Sequence, residues 1–152
     1  LLGLTDGDNA STGYGYTDIA DFIIQHGSNV EQNLEEIFRC VAFYIIVGNS
    51  DDHFRNHGFL LTHKGWELSP AYDINPTLSD NQSLLINRST SESNLNILLA
   101  SAGEYMLSTE KANRIITDVK TTMKSWRTEA RRLGLLQRDI DMFAPRFDTR
   151  LF

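Results

Sequence analysis

The 152-residue sequence lacks several features that would place it in a special class of protein. It has one cysteine, Cys40, so no internal disulfide can form, and the apolar neighbours of this thiol indicate a core position in a reducing compartment. The longest apolar run, residues 41–47, is too short to cross a bilayer, and no signal-peptide pattern is visible. Acidic residues outnumber basic ones by 20 to 14, so the net charge is −6. This charge disfavours nonspecific binding to nucleic acid, which depends on neutralising phosphates with lysine and arginine. The composition predicts a one-domain cytoplasmic protein with no membrane contact and no direct binding to nucleic acid.

Two consecutive helices are predicted in the first third of the chain. The first runs from about Thr17, which can cap it, to His26, and Gly27 ends it. The second runs from about Val30 to Val47. It begins amphipathic and becomes apolar on all sides after Val41, which is typical of a helix that enters the core. The segment that follows is therefore expected to start close to the core.

A short hairpin and further helices are predicted in the rest of the chain. Residues 58–62 and 66–68 flank a turn that contains Gly65, and residues 82–87 are predicted to form one more strand. One helix is indicated near residues 95–102. A long helix is indicated between Ser108 and Gly134, and a last short one at residues 137–147. The predicted fold class is mainly α with a small β-hairpin.

The densest polar cluster of the sequence directly follows the most apolar helix. Within it, Asp51 and Asn56 have the Asp-x-x-x-x-Asn spacing of kinase catalytic loops, in which the Asp accepts a hydroxyl proton and the Asn binds magnesium. Magnesium prefers one or two protein oxygens together with phosphate oxygens and water. Asp73 follows after the hairpin and can supply a second carboxylate. The spacing alone is a weak signal, but the hairpin and the second Asp strengthen it.

Two blocks of sequence around these residues resemble the motifs of a known family. Residues 49–56 read Asn-Ser-Asp-Asp-His-Phe-Arg-Asn, and residues 68–73 read Leu-Ser-Pro-Ala-Tyr-Asp. They are similar to the paired N-x-D-D-H-x-K-N and L-x-P-x-Y-D motifs of the HipA-like serine/threonine kinases. The resemblance covers about the first 80 residues, whereas the later helices agree with the family only in type.

The resemblance implies the C-terminal, helical lobe of a protein-kinase-like fold of the HipA type. It implies that Asp51 is the catalytic base and that Asn56 and Asp73 hold Mg²⁺. The nucleotide-binding residues that it implies are His53, Arg55, Asn56, Tyr72 and Asp73. Arg55 stands where the family usually has lysine, so a planar fork replaces a point charge at the phosphates of ATP.

The resemblance also implies what this chain does not contain. No Gly-x-Gly-x-x-Gly loop precedes a strand, and no strand lysine is paired with a helical glutamate. The chain starts at Leu1 without a methionine, which indicates a piece whose ATP-gripping lobe lies upstream. We therefore expect little kinase activity from the piece alone. Many proteins of this bacterial family are toxins of toxin–antitoxin pairs, which implies a protein substrate and a helix-turn-helix antitoxin as partners.

Simpler interpretations accompany several of these residues. Asp52 is predicted to be structural and to bond backbone amides of the loop, and His57 is also predicted to be structural. His53 either braces the loop or contacts the nucleotide. The hydroxyl of Tyr72 is expected to be hydrogen-bonded.

Two other functions remain open at the level of the sequence. One is a metal-dependent phosphohydrolase that uses Asp51, His53, His57 and Asp73, although the stretch between the histidines does not read as a helix. The other is a noncatalytic module that binds a protein partner.

Overall fold

The computed structural model describes residues 2–77 and 79–151. Within these ranges the chain is mainly helical and carries one antiparallel hairpin. The helices and strands in chain order are α1 Tyr16–His26, α2 Val30–Val47, β1 Phe59–Thr62, β2 Gly65–Leu68, α3 Leu95–Ala100, α4 Thr109–Met123, α5 Trp126–Arg132 and α6 Gln137–Leu151. Single 3-10 turns lie at Ala10–Thr12, Phe54–Asn56 and Ala102–Tyr105.

Helix α2 is the central element of the fold. Its apolar stripe is completely buried at Ile37, Phe38 and Val41, and α1, α4 and α6 pack around it. Burial of apolar surface is the dominant favourable term in folding, so this helix provides the largest share of the core. The last turn, Tyr44 to Val47, is buried on every side, as the loss of amphipathicity in the sequence predicts.

Gly48 ends α2 and allows another segment to come close. Its φ of 74° is left-handed, and a Cβ at this position would lie 2.9 Å from the carbonyl oxygen of Thr77. The backbone N–H of Thr77 donates to the carbonyl oxygen of Gly48 at 2.7 Å. The chain after the hairpin therefore returns to the end of α2.

The hairpin and α6 fix the path of that returning segment. Phe59 pairs with Leu68 at the open end of the hairpin, and Ser69 donates its N–H to the carbonyl oxygen of Gly58 at 2.8 Å. From α6, Arg146 donates to the carbonyl oxygen of Thr77 at 3.1 Å and forms an ion pair with Asp80. These contacts fix the start and the middle of the segment between the hairpin and α3.

Several predictions of the elements are confirmed and others are wrong. Helix α2 has the predicted ends, and α1 begins one residue before the predicted start. Residues 82–87 do not form a strand. They make one isolated bridge, between Leu85 and Gly15, because the chain there follows the loop before α1 rather than a sheet edge. The helix at residues 95–102 ends at Ala100, and Ala102 opens a 3-10 turn.

The long helix predicted between residues 108 and 134 is two helices, α4 and α5. Lys124 and Ser125 separate them, and the apolar stripe continues across the break. Helix α6 runs to Leu151 rather than residue 147, with Pro145 inside it.

Cys40 was predicted at a core position, and it is half-buried. This burial raises the pKa of its thiol to about 12. None of the described helices is long and apolar enough to cross a membrane.

Candidate active site at the end of the second helix

The polar loop begins where α2 ends in the core. Asn49 and Ser50 are both buried, and the N–H of Asn49 still donates to the carbonyl oxygen of Tyr44 at 3.0 Å. Ser83 closes the loop from another side, because its N–H and its hydroxyl both donate to the carbonyl oxygen of Ser50, at 2.9 Å and 2.8 Å. Hydrogen bonds therefore fix Asn49 and Ser50, which directly precede the charged residues of the loop.

Hydrogen bonds join the loop to the segment that contains Asp73. The side-chain oxygen of Asn49 accepts the N–H of Asn75 at 2.8 Å, and the hydroxyls of Ser50 and Thr77 are hydrogen-bonded to each other. On the other side of Asp73, the hydroxyl of Tyr72 donates to the carbonyl oxygen of Arg55 at 2.6 Å. The two sequence motifs therefore lie against each other.

Asp73 has an unusual backbone conformation within this contact. Its φ is 56°, in the left-handed region that non-glycine residues seldom adopt and that is often found at functional sites. Its Oδ1 accepts the side-chain N–H of Asn75 at 2.8 Å. In the described part of the chain the other carboxylate oxygen has no hydrogen-bond partner, so it is available to a cation.

Asp51, the predicted base, and Asn56, the predicted metal ligand, differ in burial, but both lack hydrogen-bond partners for their side chains. Asp51 is exposed, whereas Asn56 is 5% exposed. Neither side chain makes a hydrogen bond within residues 2–77 and 79–151. The amide of Asn56 is not fully enclosed, so it can still reach solvent or a ligand. Asn56 therefore fits the position of a ligand-binding group.

Asp52, next to Asp51, has the opposite surroundings. Its residue is fully buried, and its Oδ2 accepts hydrogen bonds from the hydroxyl of Tyr16 at 2.8 Å and from Nε2 of His57 at 2.7 Å. The prediction that Asp52 bonds backbone amides of the loop is therefore wrong. The physical reason is that the carboxylate points into the protein, where a phenol and an imidazole from other positions meet it.

An open cleft of about 510 Å³ lies in front of part of the loop. Asp51, His53 and Arg55 line it, together with the chain segment at residues 4–9. Arg55 forms an exposed ion pair with Asp6 of that segment, and its Nη2 lies 3.4 Å from Nε2 of His53. The other ring nitrogen of His53 is buried without a partner. Asn56, Tyr72 and Asp73 are not among the residues that line this cleft.

The donor set fits a magnesium ion that also binds phosphate oxygens. Asn56 and Asp73 offer one neutral and one charged oxygen, both hard ligands of the kind Mg²⁺ prefers. The described residues contain no cluster of three or more histidine, cysteine, aspartate or glutamate side chains that could hold a metal. A closed, all-protein metal cage is therefore not formed by that part of the chain, whereas a two-ligand site completed by phosphate and water is compatible with it.

Burial also changes the acidity of the phenols around the loop. The pKa of Tyr16 is raised well above its ordinary value of 10.0 because the ring is buried and the charge of Asp52 opposes a second negative charge. Burial likewise raises the pKa of Tyr44, whose ring lies 6.2 Å from that of His57. Both phenols therefore stay protonated and remain hydrogen-bond donors at neutral pH.

Sequence reasoning missed two residues of this site. Tyr16 lies 36 residues before Asp52, and Asp6 lies 49 residues before Arg55. No spacing rule connects positions so far apart. Tyr16 precedes the predicted start of the first helix by one residue, and nothing in the sequence indicates its contact with Asp52.

Comparisons with known proteins agree with the motifs. A Haemophilus influenzae protein named "Putative kinase" is 39% identical over 60 residues, which is 39% of this chain and 18% of that protein. A chain from the structure of the Shewanella oneidensis MR-1 toxin–antitoxin system HipA, HipB and its operator DNA complex has a TM-score of 0.68 at 16% identity. It matches 99% of this chain, which spans 35% of the Shewanella chain.

The likeness to the Shewanella structure establishes the fold. This chain corresponds to a minor part of the length of both relatives. The model of the HipA-like C-terminal domain family matches residues 1–126, well beyond the first 80 residues that carry the motifs. The chain therefore belongs to the HipA-like C-terminal domain family.

Proposed function

We propose that this chain is the C-terminal catalytic lobe of a serine/threonine protein kinase with a protein-kinase-like fold. The reaction is transfer of the γ-phosphate of Mg-ATP to a serine or threonine hydroxyl of a protein. The observation that supports it most is the hydrogen-bonded contact of the two motif segments through Asn49–Asn75 and Tyr72–Arg55. This contact brings the segment that contains Asp73 to the loop that contains Asp51 and Asn56.

Asp51 serves as the base in this proposal. Its exposed, unpartnered carboxylate accepts the proton of the substrate hydroxyl while the hydroxyl oxygen forms a bond to the γ-phosphorus. The bond from this phosphorus to the bridging oxygen breaks, and ADP leaves. Asn56 and Asp73 hold Mg²⁺, which supplies positive charge beside the phosphate oxygens when it is bound.

Three further residues form the nucleotide-binding site in this proposal. Arg55 and His53 face the cleft and contact phosphate oxygens. Phosphate has to replace Asp6 as the partner of Arg55, which is feasible because an exposed ion pair contributes only about 0–1 kcal/mol. Tyr72 supports the site by holding the backbone of Arg55 in place.

The kinase requires a second lobe in this proposal. The chain spans 18% and 35% of the two relatives, so residues that cover ATP belong to other parts of such a protein. We propose that the 152-residue chain alone is nearly inactive. We also propose that the whole protein is a bacterial, cytoplasmic toxin whose partner is a helix-turn-helix antitoxin. The Shewanella structure, a complex of HipA and HipB with operator DNA, supports a partner of this kind.

The phosphohydrolase alternative has less support. It needs His57 as a metal ligand, but Nε2 of His57 is bonded to Asp52. In the described ranges no three metal-binding side chains come together. A noncatalytic partner-binding module makes no use of an unpartnered Asp51 and Asn56.

The deciding experiment is phosphotransfer from labelled ATP by a protein in which this chain is joined to an N-terminal lobe. Asp51→Ala is expected to reduce the rate by about 10²–10⁴-fold, because a positioned base contributes that much. Exposed Glu92, which lies on no motif, provides the matched control Glu92→Ala, with an unchanged rate expected. Equal rates for Asp51→Ala and the parent would refute the assignment. Phosphatase activity without nucleotide would favour the phosphohydrolase.

A further inference from the structure

The buried network of Asp52, His57 and Tyr16 has no role in the proposed chemistry, although it lies directly behind it. The side chains of Asp52 and His57 are 1% and 4% exposed. Tyr16 is fully buried and comes from α1. Its hydroxyl and Nε2 of His57 donate to the same carboxylate oxygen, Oδ2 of Asp52.

We infer that Asp52 and His57 are positioning residues that form a clamp across the loop. Asp52 directly follows the proposed base Asp51, and His57 directly follows the proposed metal ligand Asn56. Neighbouring Cα atoms are about 3.8 Å apart, so a bond between the two clamp residues restrains both functional residues through one peptide unit each. The inference rests on the proposed function for the roles of Asp51 and Asn56.

The backbone inside the clamp is already a compact ring. The N–H of Asn56 donates to the carbonyl oxygen of His53 at 2.8 Å, and that of His57 donates to the carbonyl oxygen of Phe54 at 3.2 Å. This single 3-10 turn is too short to be stable by itself, because fixing a first turn loses more chain entropy than one hydrogen bond returns. The bond between Asp52 and His57 closes the ring from its two ends.

Aromatic contacts hold the imidazole in this arrangement. The ring of His57 meets the rings of Tyr16 and Tyr44 edge-on, with centroids 5.8 Å and 6.2 Å away. Because Tyr16 belongs to α1 and Tyr44 to α2, both helices fix the orientation of His57. The clamp therefore transmits the rigidity of the core to the loop.

A contribution to stability does not by itself explain why Asp52 and His57 form a buried pair. Oδ1 of Asp52 is buried without a partner, which is unfavourable. Buried charged networks are often replaced by apolar residues of similar volume with no loss of stability, whereas they can specify one conformation. A role in holding one loop conformation explains why a costly carboxylate lies here.

The test separates loop order from global stability. The triple variant Tyr16→Phe, Asp52→Leu and His57→Phe keeps the approximate shapes and removes every polar atom of the network. We expect global unfolding close to that of the parent. We also expect hydrogen exchange at the amides of Asn56 and His57 to be at least about tenfold faster, with exchange at Gly48 unchanged. Unchanged exchange at Asn56 and His57 in this variant would overturn the clamp.

Activity of the two-lobed protein provides the second measurement. We expect kcat of the triple variant to fall by about 10–100-fold with the KM for ATP changed less than about threefold, because small misplacements of reacting groups carry losses of this size. A kcat equal to that of the parent would overturn the clamp. If the parent transfers no phosphate, the proposed function fails, and the exchange measurement still decides whether the clamp orders the loop.

A pair of single variants decides the question if the triple variant does not fold. His57→Gln keeps a side-chain donor for Asp52, whereas His57→Phe keeps the ring and loses the donor. The clamp predicts slower exchange at Asn56 and higher kcat for His57→Gln than for His57→Phe. The reverse order would show that ring packing alone matters and would overturn the clamp. His63→Gln, on the exposed hairpin turn, is the matched control with no expected effect.

Discussion

The loop after α2 has an outer face and an inner face with opposite properties. On the outer face, Asp51 and Arg55 are exposed, and the ion pair between Arg55 and Asp6 joins two side chains that are mostly surrounded by water. On the inner face, Asp52 and His57 are buried and bonded to each other. Two adjacent carboxylates therefore have different tasks. The carboxylate of Asp51 is open to solvent, and that of Asp52 is enclosed in the core.

This difference shows how a loop can combine the exposed base that we propose with a rigid backbone. A base must reach a substrate, so its own contacts cannot hold it in place. The neighbouring residue has no such requirement and can be fixed by the core. In the inferred clamp, Asp51 and Asn56 are each positioned by the buried residue that follows them.

The largest expected effect comes from the inner carboxylate. Asp52→Ala removes the acceptor of two buried donors, the hydroxyl of Tyr16 and Nε2 of His57. We expect the free energy of unfolding to fall by about 2–4 kcal/mol, because both donors lose their partner. Asp51→Ala is the matched control, with a change within about 0.5 kcal/mol, since its side chain is exposed. Urea unfolding measures both, and equal losses would contradict the two-face description.

A smaller effect is expected from the phenol that supports the inner face. Tyr16→Phe removes one of the two donors to Asp52 and keeps the ring. We expect a loss of about 2 kcal/mol at neutral pH, which is typical of a hydrogen bond to a charged group. Tyr14→Phe, two residues earlier in the loop before α1, is the matched control and is expected to change stability little. A loss of stability in Tyr14→Phe as large as that in Tyr16→Phe would argue against a specific bond.

The same variant has a signature at alkaline pH. The pKa of Tyr16 is raised in the folded protein, so the unfolded chain releases this proton first, near its ordinary value of 10.0. The unfolded state then binds fewer protons, and stability falls as the pH rises above that value. One such group contributes at most about 1.4 kcal/mol per pH unit. Tyr16→Phe is expected to show a shallower decline of the urea midpoint at pH values above the ordinary pKa of tyrosine, and an unchanged decline would contradict the raised pKa.

Much of the fold was predictable because the patterns that specify it are local. Helix α2 could be placed to the residue because its apolar period, its change to uniform apolarity and its terminal Gly48 are all visible in the sequence. The break between α4 and α5 could not be predicted, since the apolar stripe runs through it without a proline or glycine. The motifs and their spacing brought attention to Asp51, Asn56 and Asp73, whose roles remain proposals.

The inner face was not predictable for a different reason. The sequence places Asp52 in a polar run, and nothing local shows whether its carboxylate points toward water or into the core. That direction depends on α1, which supplies Tyr16 from 36 residues away. Contacts of this kind follow from the packing of α1 on α2, and the sequence carries no separate signal for them.

The smallest expected effect lies on the outer face. Asp6→Asn removes the carboxylate that pairs with Arg55, and the two side chains are 76% and 64% exposed. We expect a change in the free energy of unfolding below about 1 kcal/mol, because water solvates both charges once they separate. The change should shrink further in about 1 M salt, where the screening length is about 3 Å, whereas the loss in Asp52→Ala should persist. A salt-resistant loss of several kcal/mol in Asp6→Asn would contradict the description of the outer face. It would mean that the segment at residues 4–9 is packed rigidly against the loop.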